Sequence, residues 1–242
     1  MRIKERLQAG TAVALVLALT GCGGGSGDGV LNPGNNDGFN LQTGISNMVT
    51  HGLTANVSLS GTVLVNNTQT PVTGSGTYSL SAGISTTFSN TAAKSQVQTL
   101  SGTATANGQS LPVSQSVTAY YDSTNSNYLG QTASGEYDVA QSPFQYPASI
   151  EGGSSGTLGT VLRYSDSTMS VPQGTATTTY VIAAATTSGG PLGIAITTKT
   201  YDTTNALIQT DVTNYSISTS NVISFVSAST QASQGTLTVT AQ

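Results

Sequence analysis

One cysteine, one histidine and no tryptophan occur in 242 residues, and only 7% of the residues are charged. Each scarcity excludes a class of chemistry. With Cys22 as the only thiol, neither an intrachain disulfide nor a cysteine metal site can form. A hydrolase of the Ser-His-Asp kind would need His51 as its base, oriented by a carboxylate. His51 stands just ahead of the first strand-like run, where a surface histidine is the simpler reading. Of the six cations, Arg2, Lys4 and Arg6 fall in the first six positions, which leaves Lys94, Arg163 and Lys199 for everything that follows. Nucleic-acid binding draws on several basic side chains set against phosphates, so nucleic acid is not an expected partner. No apolar run reaches the roughly 20 residues that a spanning helix needs.

The longest apolar run, Ala9 to Leu19, follows a positive head and ends at Leu19-Thr20-Gly21-Cys22. A basic start, a short apolar core and small residues before a break are the marks of an export signal. Leu19-Thr20-Gly21-Cys22 resembles the bacterial lipobox. That resemblance implies cleavage between Gly21 and Cys22, acyl chains on Cys22, and membrane attachment through them. Two or three chains meet the requirement that stable anchoring takes more than one. In Gram-negative lipoproteins an aspartate after the cysteine commonly retains the protein at the inner membrane, so Gly23 implies the outer membrane. Loss of residues 1–21 removes a net charge of +2 and takes the formal charge from −4 to −6.

Residues 22–44 are rich in Gly, Asn and Asp and read as a flexible tether, with a domain over 45–242. Beyond the tether, alternation with a period of two dominates. Leu53, Ala55, Val57, Leu59, Gly61 and Val63 share one face, and Thr54, Asn56, Ser58, Ser60 and Thr62 the other. Asn66-Asn67, Asn107-Gly108 and Ser188-Gly189-Gly190-Pro191 read as turns, and Asn-Gly between alternating runs is the strongest short hairpin signal. The chain closes on Leu237, Val239 and Ala241 alternating with threonines. Helical periodicity is absent after the signal, apart from room for one short turn between Met48 and Leu53.

These features predict an all-β antiparallel meander, forming a β-sandwich or a curved half-barrel. Two repeat-related halves of about 80 residues are one reading: Ser75-Gly76-Thr77 returns as Ser155-Gly156-Thr157, and Tyr121-Asp122-Ser123-Thr124-Asn125 as Tyr201-Asp202-Thr203-Thr204-Asn205. Reuse of favoured turn residues is the other. The lipobox, the glycine tether, Ser58-Leu59-Ser60-Gly61-Thr62-Val63, Gly76-Thr77-Tyr78-Ser79-Leu80 and Tyr120-Tyr121-Asp122 together resemble Ser/Thr-rich proteobacterial lipoproteins. The resemblance implies a compartment and no particular activity.

Few residues invite a chemical role. Glu136 and Asp138, two apart, share one face of a strand, as paired acid-base carboxylates would, and Glu151 in a Gly-rich loop is a candidate third. Solvated strand charges are the simpler reading. Asp122 and Asp202 open oxygen-rich turns that suggest calcium, although a side chain capping its own turn explains each. Among the ten tyrosines, Tyr120, Tyr121, Tyr128, Tyr137 and Tyr146 crowd together, and adjacent Tyr120 and Tyr121 must face opposite ways on a strand. An integral outer-membrane barrel would call for apolar outward bands and aromatic girdles, which are thin here.

The sequence therefore points to a lipid-anchored envelope protein, expected at the outer membrane, with a non-enzymatic binding or structural role toward an unknown protein, glycan or lipid. No cofactor and no metal are expected. A periplasmic carrier of hydrophobic ligand, with a groove near Gly102, Ala104, Ala106, Ala183, Ala184 and Ala185, is one alternative. A glycan-acting enzyme using Glu136 and Asp138 is another.

Overall fold

Thirteen strands follow one another in the computed structural model, which describes residues 38–65 and 68–242. Gly21, Cys22, the signal, most of the tether and the Asn66-Asn67 turn lie outside the described residues. The first strands are β1 (Leu53–Val65), β2 (Thr68–Leu80), β3 (Ile84–Phe88), β4 (Thr91–Ala106), β5 (Gln109–Asp122), β6 (Tyr128–Ala133) and β7 (Glu136–Phe144). After them come β8 (Ser155–Tyr164), β9 (Pro172–Ala183), β10 (Leu192–Tyr201), β11 (Leu207–Ile217), β12 (Ile223–Ala232) and β13 (Gly235–Ala241).

Every pairing is antiparallel, and the meander expected from the alternation is present. A sandwich or half-barrel is not: the sheet closes into a barrel of twelve strands, because β13 adds to the free edge of β1 and β2 skips β3 to pair with β4. Leu59 lies opposite Val239, and Tyr78 opposite Leu100. Closure pairs the edges that an open sheet would leave exposed, except along β3, which pairs with β4 alone. It also buries the apolar faces of the first and last strands against one interior. At the Asn107-Gly108 hairpin both residues have positive φ, 49° and 72°, as the tight turn between Ala106 and Gln109 requires.

A ring of twelve strands is wider than the eight-stranded barrel that ordinary side chains fill. Large rings line that interior. Tyr78, Tyr121, Tyr128, Phe144 and Tyr215 are fully buried, and Tyr78 packs on Phe225 with ring centroids 4.3 Å apart. A second, small cluster lies on the outer wall, where Phe88 stacks on Tyr120 at 4.2 Å and on Tyr137 at 5.2 Å.

One end of the barrel is crossed by a helix, α1 (Leu41–His51). The single short turn expected after Met48 is instead an eleven-residue helix, and it begins four residues inside the stretch read as tether. Its signals are local. Asn40 caps it by accepting from the Thr43 N–H at 2.8 Å, Leu41, Ile45, Met48 and Val49 form one buried face, and Gly52 ends it at a φ of 73°. Gly44, which weakens the sequence signal, lets the helix lie against Ile217 and Ile223, where an added Cβ would come within 3.1 Å of both side chains. Three loops and a strand hold it: the Asn40 N–H donates to Asn221 Oδ1, Gln42 N–H to the Pro147 carbonyl, Gly83 N–H to the Val49 carbonyl, and Gln96 Nε2 on β4 to the Met48 carbonyl. Replacing Asn40 by alanine should lower unfolding stability by about 1 kcal/mol, the usual cost of losing such a cap, read as a lower urea midpoint at unchanged slope.

The strand directions oppose a duplication at the offset of 80. β2 and β5 run toward the α1 end, whereas β8 and β10, on which the offset would place them, run away from it. The two Asp-x-Thr-Asn turns accordingly sit at opposite ends of the barrel.

Candidate functional site

Barrel closure decides where the strand carboxylates point. Asp138 on β7 pairs across to Gln131 on β6 and to Arg163 on β8, so the three side chains stand side by side on the inward face. Glu136, two residues before Asp138, shares that face. These are not the solvated charges expected of an open strand: Asp138 is 1% exposed, and the Glu136 and Arg163 side chains are 10% and 14% exposed.

A connected network results. Arg163 donates to Glu136 Oε1 through Nε at 3.1 Å and Nη2 at 2.9 Å, and its Nε lies 3.7 Å from Asp138 Oδ1. Gln131 Nε2 donates to Asp138 Oδ2 at 3.0 Å, and its Oε1 accepts from the Tyr128 hydroxyl at 3.1 Å. Burial pushes the Asp138 carboxyl well above its ordinary range, the Glu136 charge adds to this, and Arg163 opposes it. Desolvation likewise raises Tyr128.

On β11 stands a third interior carboxylate, Asp211, 1% exposed. It accepts from Gln209 Nε2 at 3.0 and 2.9 Å and from Thr230 Oγ1 on β12 at 2.5 Å. Burial raises its pKa to about 7 against the pull of those hydrogen bonds, and the Glu136 and Arg163 charges reach it with opposite signs. The polar half of the interior therefore holds three carboxylates around one guanidinium. One set of hydrogen bonds joins β6, β7 and β8, and the other joins β11 and β12. No family model, curated protein or solved structure matches this chain. Among the described residues no group of His, Cys, Asp and Glu is arranged to hold a metal ion.

The remaining candidates separate. His51 ends α1 and is exposed, with Nδ1 2.9 Å from the Asn47 carbonyl. A Gly-x-Ser-x-Gly spacing at Gly152–Gly156, which the sequence reading passed over, leads into a strand rather than a helix, and Ser154 Oγ accepts from the Glu151 N–H at 3.2 Å. Glu151 is exposed in the β7–β8 loop, away from the β7 carboxylates. Asp122 accepts from the N–H groups of Thr124, Asn125 and Asn127, and Asp202 from those of Thr204 and Ala206, so both cap their own turns. Tyr121 is in the core and Tyr120 on the outer wall. Ala183 and Ala184 are exposed while Gly102, Ala104 and Ala106 line the interior, so the six small residues share no groove.

Arg163, Gln131, Gln209, Asp211 and Thr230 escaped the sequence reading. The signal for Asp211 was present, since it alternates in phase with Thr213, Tyr215 and Ile217. Outward, the wall is hydroxyl-bearing. Ser229, Thr238, Ser60, Thr73, Thr105 and Ser110 fall in one row across six neighbouring strands.

Proposed function

We propose that this chain is a lipid-anchored protein of the outer membrane whose barrel acts by its outer surface, as a binding or structural module, without catalysis and without an enclosed ligand. The observation that carries this reading is the division of the wall: rings and aliphatic side chains occupy the inside, α1 covers one end, and serines and threonines face out. A membrane-spanning barrel needs the opposite arrangement, with an apolar band outside. The tether enters at the α1 end through Phe39 and Asn40, so the acylated Cys22 would hold that end nearest the membrane. Glu136 and Asp138, buried and engaged with Arg163 and Gln131, offer no acid-base pair to an external glycan.

Two measurements test it. Cys22→Ser should move nearly all of the protein from the membrane pellet to the soluble envelope fraction. Native mass spectrometry of the soluble protein, purified without detergent, should show the polypeptide with no bound adduct. Retention of the C22S variant in the pellet would refute the anchor, and a stoichiometric adduct of lipid mass would refute the filled interior in favour of a carrier. Protease shaving of intact cells then decides which face of the membrane carries the barrel.

A further inference from the structure

Asp211 is a buried carboxylate without a cation in ion-pair distance among the described residues, where both ion pairs belong to Arg163. Burial of such a group is costly unless it is engaged. What engages it is a threonine hydroxyl and a carboxamide nitrogen, both donating to the same carboxylate. The register fixes this arrangement: Asp211 is directly opposite Thr230, and Gln209 is the next inward residue on β11, diagonal to Thr230.

We propose that Gln209 and Thr230 become joined by an ester, formed by the chain itself with Asp211 as the proton carrier. Thr230 Oγ1 attacks Gln209 Cδ. The Oγ1–Cδ bond forms and the Cδ–Nε2 bond breaks. Asp211 takes the hydroxyl proton and delivers it to the departing Nε2, which leaves as ammonia. Nothing is oxidised or reduced, and no co-reactant is consumed. The carboxylate is placed for both transfers, because the oxygen that accepts from Thr230 also accepts from the nitrogen that departs. Thr230 and Asp211 are 2% and 1% exposed, so water is kept from the ester once made. The product is a covalent staple between β11 and β12 in a folded domain that contains no thiol for a disulfide.

The test is mass spectrometry of the full mature protein isolated from the envelope. Lys199 is the last tryptic site, so Gln209 and Thr230 fall together in peptide 200–242, which contains no Asn-Gly step at which a succinimide would mimic the loss of ammonia. That peptide should be lighter than its sequence by one ammonia. Chymotryptic cleavage after Tyr215 and Phe225 should leave its two outer pieces joined, and mild alkali should part them. Thr230→Ser should keep the loss, while Thr230→Val and Asp211→Asn should restore the full mass. A wild-type peptide of full sequence mass overturns the proposal without recourse to a variant, and so does ammonia loss that persists in T230V. Persistence in D211N overturns the role given to Asp211.

Discussion

Arg163→Met should destabilise the barrel by about 3 kcal/mol, the lower end of the cost of removing one partner from a buried ion pair. The lower end applies because the Glu136 side chain keeps 10% of its surface in contact with solvent. Arg163 is the cation of the interior cluster, and its loss leaves the Glu136 carboxylate uncompensated in a medium of low polarity, beside two carboxyls that burial already holds toward the protonated form. Urea unfolding at neutral pH reads the effect as a lower midpoint. Most of the loss should return in the double variant Glu136→Gln/Arg163→Met, since replacing both members of a buried pair is far less costly than orphaning one. Arg163→Lys should fall between, because an ammonium lacks the planar fork with which the guanidinium donates through two nitrogens to Glu136 Oε1 while facing Asp138. Wild-type stability in the single methionine variant would mean that Glu136 and Asp138 hold their places without the guanidinium.

Much of the wall was legible because its signal is local. Leu53 to Val63 and Leu237 to Ala241 alternate over their whole lengths, and period-two patterning determines which side chains a strand buries whatever sheet it joins. Closure was not legible. The same alternation serves a sandwich or a barrel, and the pairing of β1 with β13 joins residues almost the whole chain apart. The helix was missed because Gly44 sits within its buried face and the threonines Thr43 and Thr50 on its exposed side are weak helix formers, and its stability comes from packing on Ile217 and Ile223 rather than from propensity. The polar cluster depended on closure in turn. Glu136 and Asp138 were placed on one face from spacing alone, but whether that face met water or Arg163 is set by the curvature of the sheet. Arg163 carried no sequence signal of its own, being one cation beside Val161 and Leu162.

Stability should fall as pH rises from about 4 to about 7, the reverse of the behaviour of a protein held together by ionised carboxylates. Asp211 carries the argument. Its folded pKa of about 7 lies above the ordinary aspartate value of 3.8, so the native state keeps a proton that the unfolded chain gives up. A group raised in this way contributes its stability fully below the unfolded pKa and loses it as pH climbs through the folded one. At 1.36 kcal/mol per pKa unit the swing is on the order of 4 kcal/mol. Asp138, also raised by burial, adds to the same limb. Loss of the Gln209 donors on esterification would push Asp211 further in the same direction. Below the ordinary carboxylate range the exposed turn caps act the other way: Asp166 and Asp202, held low by their hydrogen bonds, lose their contribution as acid protonates them. The urea midpoint should therefore be highest in mild acid, near pH 4 to 5, and should decline toward pH 8. Asp211→Asn, neutral throughout, should flatten most of that decline. A midpoint that rises from pH 5 to pH 8 in the wild type would show that Asp211 is ionised in the fold, and that Arg163 reaches it more strongly than the desolvation of its position allows.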